Sequence, residues 1–207
     1  MPYLDRLQHT RDIGIMEIYR IGLIGSAGLG KSGIATELAK KLGIAFLRSK
    51  DTTRPILKEL GYDYDKCECV EKFLSDKDIE YSIVEKKTRQ EQLLRDSGFI
   101  TDRTTLECFA YALLSVDKYE QDEIALLEKV CKENMSQYTH LFYFPYKGGW
   151  LEANGIRTVN TYFQWKIDML IRGLIEDWGI NVITIPQDGD KADFIGERLG
   201  AGNNTNI

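Results

Sequence analysis

Apolar residues along the chain recur at spacings that alternate between those of strands and those of helices. Short apolar runs predict strands near residues 18–25, 44–47, 99–102, 141–144 and 182–185. Helical spacing predicts helices over residues 31–42, 55–60, 70–96 with a break near 76, 106–114, 122–135, 158–178 and 193–199. Helices between successive strands imply right-handed crossovers. The predicted fold class is therefore α/β, a doubly wound five-stranded parallel sheet with helices on both faces.

The same pattern indicates one domain with two short ends. A length of 207 residues suits one domain, and no repeat or proline-rich linker interrupts residues 16–200. Residues 1–15 carry scattered charges and lack the apolar stretch of a signal peptide, so we predict a flexible N-terminal extension. Residues 201–207 are polar and rich in glycine and asparagine, which predicts a flexible tail.

The amino-acid composition indicates which kinds of partner, such as nucleic acids or membranes, the protein is expected to bind. The formal net charge of -5 repels polyanions, so a nucleic-acid partner stays open but is not favoured. The basic run at residues 86–89 is interpreted as a solvated helix face. No stretch reaches the roughly 20 apolar residues of a membrane-spanning helix, so no membrane partner is expected. The cysteines form no paired Cys-x-x-Cys zinc motif and are interpreted as reduced thiols, which indicates a cytoplasmic protein.

Residues 25–32 carry the clearest chemistry in the chain. Their sequence, Gly-Ser-Ala-Gly-Leu-Gly-Lys-Ser, matches G-x-x-x-x-G-K-[ST] between a predicted strand and a predicted helix. Such a loop directs successive N–H groups, and the positive end of the next helix, at a phosphate. Lys31 is expected to neutralise the β- and γ-phosphates and Ser32 to bind magnesium, so the expected cofactors are ATP and Mg2+. The residues expected to hold ATP are Gly25, Ala27, Gly28, Leu29, Gly30, Lys31, Ser32 and Gly33.

The third predicted strand points to phosphoryl transfer. It ends in Asp102-Arg103, where many ATP-hydrolysing proteins carry Asp-Glu, and arginine cannot take a proton from water. Asp102 is expected to face the phosphate loop across a crevice, where it orients an acceptor hydroxyl or holds magnesium through water. Arg103 is expected to stabilise charge in the transition state. The alternative is that Asp102 only caps the following helix.

The phosphate loop, Asp102-Arg103 and the Thr-Thr-Arg-Pro segment at residues 52–55 resemble the P-loop nucleoside and nucleotide kinases, whose best-known member is thymidylate kinase. Residues 101–112 and 154–157 look closer to a subgroup with ribosylnicotinamide kinase-like proteins and phage nucleotide or hydroxymethyluridine DNA kinases. In those kinases an arginine after the second strand binds the acceptor's phosphate, which implies that role for Arg54. Arg103 is also expected to bind the acceptor. The resemblance also implies a lid near residues 146–160, in which Lys147 and Arg157 close over the phosphates, and adenine contacts at residues 186–188. The alternative for residues 146–160 is a plain surface loop.

The resemblance implies an ATP-dependent phosphotransferase that moves the γ-phosphate to a nucleoside, a nucleoside monophosphate or a modified pyrimidine. A homodimer is left open. Two alternatives remain: a kinase acting on 5-hydroxymethyluracil in DNA, and a non-catalytic nucleotide-sensing ATP-binding protein. Several aromatic side chains either stack an acceptor base or belong to the core, namely Tyr62, Tyr64, Phe73, Tyr81 and Phe109.

Overall fold

The structure, a computed structural model, describes residues 17–62, 77–148 and 160–201. Within these residues, parallel strands form one five-stranded sheet in the order β2-β3-β1-β4-β5. The strands are β1 (Arg20–Ile24), β2 (Ala45–Leu47), β3 (Phe99–Thr101), β4 (His140–Tyr143) and β5 (Ile183–Thr184). The central strand β1 pairs with β3 on one side and with β4 on the other. The doubly wound parallel sheet predicted from the sequence is thereby confirmed.

Helices connect the strands and cover both faces of the sheet. They are α1 (Lys31–Leu42), α2 (Ser49–Glu59), α3 (Lys77–Leu93), α4 (Thr105–Ala112), α5 (Gln121–Met135), α6 (Thr161–Asp177) and α7 (Lys191–Ala201), with a 3-10 helix (Leu113–Lys118) after α4. Helix α1 has the predicted bounds, whereas α2 begins at Ser49 and carries Pro55 in its interior. No helix in the described part of the chain has the length and apolar character needed to span a bilayer.

Two apolar cores lie on opposite faces of the sheet. On one face, Ile21 and Leu23 of β1 pack with residues of α1 and α7. On the other face, Ile24 packs with residues of α2 to α6. Because β1 is covered on both sides, its sequence reads as a continuous apolar run and not as an alternation.

The second core also accounts for part of the aromatic set. Phe109 belongs to it, and Tyr62 and Tyr81 pack against it. The Phe109 ring lies 5.5 Å from that of Trp178. Tyr64 and Phe73 lie outside the described residues.

Gly22 allows the start of α4 to approach the middle of β1. A Cβ atom at this position would lie 2.6 Å from Cδ2 of Leu141 and 2.7 Å from Cγ2 of Thr104. Thr104 is the residue that precedes α4 and caps it. The absence of a side chain at Gly22 therefore sets how closely the Asp102–Thr104 turn lies against the sheet.

Lys87 contradicts the interpretation of residues 86–89 as a solvated face. Only 6% of Lys87 is exposed, and its Nζ donates to Thr101 Oγ1 at 2.8 Å and lies 2.7 Å from Glu91 Oε1. Glu91 is fully buried and accepts hydrogen bonds from three more side chains, those of Tyr138, Asn134 and Gln137. These contacts compensate two buried charges, which a basic run in the sequence does not reveal.

We predict that Gly22→Ala lowers the free energy of unfolding by about 1–3 kcal/mol, because the added methyl group overlaps two packed side chains. Chemical denaturation followed by circular dichroism measures this change. The matched control is Gly173→Ala in α6, where a Cβ meets no atom within 4 Å. That variant should gain about 0.5–1 kcal/mol from helix propensity. Equal stability of the two variants would contradict the close approach at Gly22.

Candidate active site

The loop from Gly25 to Gly30 joins β1 to α1 and has the shape of an anion cradle. Gly25 and Gly30 have φ angles of 147° and 82°, which residues with a side chain rarely adopt. A Cβ at Gly25 would also lie 2.6 Å from the carbonyl oxygen of Phe144. The loop leads directly into the N-terminus of α1, whose first N–H groups have no intrahelical partner. The backbone therefore offers several donors and the positive end of a helix to a phosphate.

Lys31 is buried at the base of this loop. Its Nζ donates to the carbonyl oxygen of Ser26 at 2.7 Å and to that of Gly25. The same Nζ lies 3.8 Å from Oε1 of Glu107 in α4. Lys31 is thus held by the loop it belongs to and by a carboxylate from a different element.

Asp102 lies at the end of β3 and joins three elements. Its Oδ2 accepts a hydrogen bond from Ser32 Oγ at the start of α1, and its Oδ1 accepts one at 2.8 Å from the backbone N–H of Ser49 in α2. It does not cap α4: the cap is Thr104, which forms a capping box with Glu107. The capping alternative for Asp102 is therefore wrong, because a different residue fills that position.

Ser32 and Asp102 fit the chemistry of a magnesium site. A hydroxyl oxygen and a carboxylate oxygen are hard ligands of the type that Mg2+ prefers. Among the described residues, no group of three or more His, Cys, Asp or Glu is arranged to hold a metal ion. Mg2+ sites usually take one or two protein ligands and complete the shell with water and phosphate.

Arg103 is packed between an acid and an aromatic ring. Its guanidinium carbon lies 4.2 Å from the ring centroid of Tyr111, and its Nη2 lies 4.0 Å from Glu80 Oε1. Burial raises the pKa of Glu80, and the charge of Arg103 opposes that rise. Within the described part of the chain, Nε and Nη2 of Arg103 are buried and make no hydrogen bond. Arg103 therefore retains donors for an anionic group.

These residues line one cleft of about 400 Å3 at the carboxyl edge of the sheet. Every residue predicted to hold ATP lies along it. The remaining lining residues come from the opposite wall: Ser49, Asp102, Arg103, Glu107 and Tyr111. The structure thus brings Lys31, Ser32, Asp102 and Arg103 together.

A second cavity of about 230 Å3 lies on the other side of Gly28 and Leu29. Pro186, Lys147 and Lys191 are among the residues that line it. Lys147, predicted to close over the phosphates, donates from Nζ to the carbonyl oxygen of Gln187 at 2.5 Å. The segment after β4 is thereby joined to the segment after β5.

One predicted site residue, Arg54, is not brought to the cleft. Arg54 is exposed on α2 and is absent from the lining residues. Arg48, which directly follows β2, has its guanidinium carbon 5.1 Å from the ring centroid of Phe46. Its Nε is buried and makes no hydrogen bond to any described residue. Arg157, residues 149–159 of the predicted lid, residues 1–15 and residues 202–207 lie outside the described residues.

Sequence reasoning missed Glu107, Ser49 and Tyr111. The pattern Thr-x-x-Glu at residues 104–107 does signal a capping box, and it places Glu107 in the first turn of a helix. It does not signal the contact with Gly25. Ser49 contributes a backbone N–H, which no side-chain pattern identifies.

Comparison with known proteins agrees with this architecture. The sequence profile of the AAA domain family matches residues 20–193. No curated protein matches the sequence significantly.

Among solved structures, three similar ones share the fold. The NadR protein in complex with NAD and AMP-PNP has a TM-score of 0.63 and 12% identity, over 92% of this chain and 51% of that chain. This chain therefore spans about half the length of that protein. Deoxyadenosine kinase from M. mycoides with bound dATP has a TM-score of 0.58 and 16% identity, over 88% and 99% of the two chains. Thymidylate kinase from Candida albicans has a TM-score of 0.57 and 17% identity, over 91% and 92%.

The profile match covers the span from β1, just before the phosphate loop, into α7, the last helix. The structural likeness covers 88% and 91% of this chain for the two kinases, at low identity, and establishes the fold. The chain therefore belongs to the AAA domain family and has the α/β fold of the P-loop nucleoside and nucleotide kinases.

Proposed function

We propose that the protein is an ATP- and magnesium-dependent phosphotransferase that moves the γ-phosphate to a nucleoside, a nucleoside monophosphate or a modified pyrimidine. One observation carries the proposal. Lys31 and Ser32 from the phosphate loop line a single cleft together with Asp102 and Arg103 from the end of β3. A cleft with a phosphate cradle on one wall and a carboxylate and an arginine on the other suits transfer between two bound molecules.

The donor side of the cleft is formed by α1 and the loop before it. When bound, ATP with Mg2+ supplies the phosphoryl group and much of the positive charge that offsets it. Ser32 Oγ and Asp102, already joined by a hydrogen bond, are the residues that would hold the metal. Lys31 would contribute its positive charge to the β- and γ-phosphates.

The acceptor side is formed by the turn after β3 and by α4. In the transfer step, an acceptor oxygen forms a bond to the γ-phosphorus while the bond from that phosphorus to the β–γ bridging oxygen breaks. The acceptor proton passes to the Asp102 carboxylate or to solvent, and ADP leaves. Arg103 Nε and Nη2 are donors suited to the charge on the transferring group. Tyr111 fixes the plane of the guanidinium through its ring.

Similar structures support a nucleotide as the phosphate donor. NadR was solved with AMP-PNP and deoxyadenosine kinase with dATP, which supports a purine triphosphate as donor. We propose the cavity beside Pro186 as the adenine site, with residues 146–160 as a lid that includes Lys147 and Arg157. The contact between Lys147 and Gln187 O then ties the start of the lid to the edge of the base site.

The decisive experiment incubates the protein with Mg2+ and ATP labelled in its γ-phosphate, together with nucleosides, nucleoside monophosphates and DNA containing 5-hydroxymethyluracil. We expect label in one small-molecule acceptor. Lys31→Ala should abolish that transfer, because it removes a positive charge beside the phosphates that is worth about 3 kcal/mol or more in the transition state. Label in the DNA alone would favour the DNA kinase, and ATP binding without any labelled product would favour a nucleotide sensor. Normal turnover by Lys31→Ala would contradict the phosphate-loop assignment.

We predict that Asp102→Asn slows transfer by about 10²–10⁴-fold, the range for loss of a positioned acid–base group. Asparagine keeps an oxygen for the Ser49 N–H and an amide group beside Ser32 Oγ, so the three elements stay joined. Helix α4 keeps its cap because Thr104 supplies it. Single-turnover rates and ATP affinity are measured on one preparation with a wild-type melting temperature. A transfer rate above half that of the wild type would leave Asp102 with only a joining role.

We propose that Arg54 binds the acceptor phosphate, and we predict that Arg54→Ala weakens binding of a monophosphate acceptor far more than binding of ATP. Arg48→Ala is the paired variant, because Arg48 is the arginine that directly follows β2. KM values for acceptor and for ATP are compared in both proteins. An equal rise in KM for both substrates in Arg54→Ala would show that Arg54 does not bind the acceptor. A rise in the acceptor KM alone in Arg48→Ala would assign that role to Arg48.

A further inference from the structure

Glu107 is a buried carboxylate beneath the phosphate loop, with no step assigned to it in the transfer reaction. Only 1% of the residue is exposed. One carboxylate oxygen, Oε1, accepts the backbone N–H of Gly25 at 3.1 Å, and the other, Oε2, accepts the N–H of Thr104 at 2.5 Å and its hydroxyl at 3.1 Å. Capping α4 requires only the contacts to Thr104. The contact to Gly25 links the carboxylate to the first residue of the loop.

The charge of Glu107 faces that of Lys31 inside the protein. Oε1 lies 3.8 Å from Lys31 Nζ, and both side chains are more than nine-tenths buried. Arg103 is a second charged group close to Glu107. Burial raises the pKa of Glu107, and Lys31, the Thr104 N–H, Arg103 and the Gly25 N–H all act in the opposite direction. Attraction between buried opposite charges is strong because little water screens it.

Phosphates in the loop would draw on the same ammonium group. Lys31 has three N–H donors, and two of them are directed to the carbonyls of Gly25 and Ser26. A phosphate that takes Lys31 as its partner competes with those carbonyls and with the Glu107 charge. The carboxylate also repels the phosphates directly, so both effects have the same sign.

We propose that Glu107 is a positioning residue that holds Lys31 on the phosphate loop and thereby lowers the affinity of the site for the β- and γ-phosphates of ATP. The proposal rests on the ATP binding assigned above. Glu107 then makes two separate contributions. Its hydrogen bond orders Gly25, and its negative charge weakens the binding of the triphosphate.

Glu107→Gln isolates the charge. The amide oxygen can still accept the Gly25 N–H and the amide nitrogen can donate to the Thr104 hydroxyl, so only the Thr104 N–H loses its acceptor. Glu123→Gln is the matched control. Glu123 is the capping-box residue of α5, accepts the Glu120 N–H at 2.9 Å and pairs with Lys77 at 2.7 Å. Each substitution therefore removes one capping acceptor and one lysine partner, but only Glu107 contacts the phosphate loop.

The measurement is the Kd of the full chain for ATP, ADP and AMP by titration calorimetry in the presence of Mg2+. We expect Glu107→Gln to lower the Kd for ATP and ADP by about 5–150-fold, the usual size of a coupling between two sites. AMP lacks the β- and γ-phosphates, so its Kd should not change. The turnover at saturating ATP should change much less than the KM for ATP. Glu123→Gln should match the wild type for all three ligands.

An unchanged or higher Kd for ATP in a folded Glu107→Gln protein overturns the proposal and leaves Glu107 as a support of the loop. Tighter binding of AMP to the same degree also overturns it, because the effect would not depend on the phosphates near Lys31. If Glu107→Gln melts below the assay temperature, the measurement is made in the Gly173→Ala background at low temperature. If the wild type binds ATP but transfers no phosphate, only the proposed function is contradicted, because the Kd for ATP still tests the role of Glu107. Lack of ATP binding by the wild type defeats both.

Discussion

The geometry of the cleft depends on the hydrogen bonds of the Asp102 carboxylate. One oxygen is bound to Ser32 in the first turn of α1 and the other to the backbone of Ser49 in the first turn of α2. Because β1, β2 and β3 are parallel neighbours, their carboxyl ends meet at one edge, and the helices that follow begin there. A single short side chain at the end of β3 can then link the N-terminus of α1 to that of α2. Displacing it would move the phosphate loop and the opposite wall relative to one another.

The position of Asp102 is in turn fixed from below by buried polar groups. Thr101, directly before it, has a hydroxyl that accepts from Lys87 and lies within hydrogen-bond distance of the carbonyl oxygens of Leu47 and Arg103. Lys87 is balanced by Glu91, whose remaining bonds come from α5 and the turn before β4. Such a fully bonded network is rigid, because moving any member leaves a buried polar group without a partner. The end of β3 therefore has little freedom, and this suits the proposed transfer, in which the attacking and leaving oxygens lie in line.

The features that could be predicted from the sequence are those determined by residues close to one another in the chain. Helix α1 was predicted with its observed bounds, because a glycine-rich loop precedes it, Gly43 ends it and its apolar positions follow the helical period. The first turn of α2 was missed, because residues 49–54 are polar and the proline at 55 suggested a helix start. Lys87 was misplaced for a related reason: its burial depends on Glu91 in the same helix and on Thr101 in a distant strand. Contacts between elements that are distant in sequence produce no periodic pattern. The contact of the Ser49 N–H with Asp102 and that of Glu107 with Gly25 could therefore be identified only from the structure.

The two cavities on either side of the phosphate loop share Gly28 and Leu29 as a common wall. A synthetic ligand designed to fill both must cross that wall at Gly28, where only backbone and no side chain stands in the way. The bridging part of such a compound should be slender, so that it passes the neighbouring Leu29 side chain, and it should carry negative charge, so that it is attracted to the N-terminus of α1.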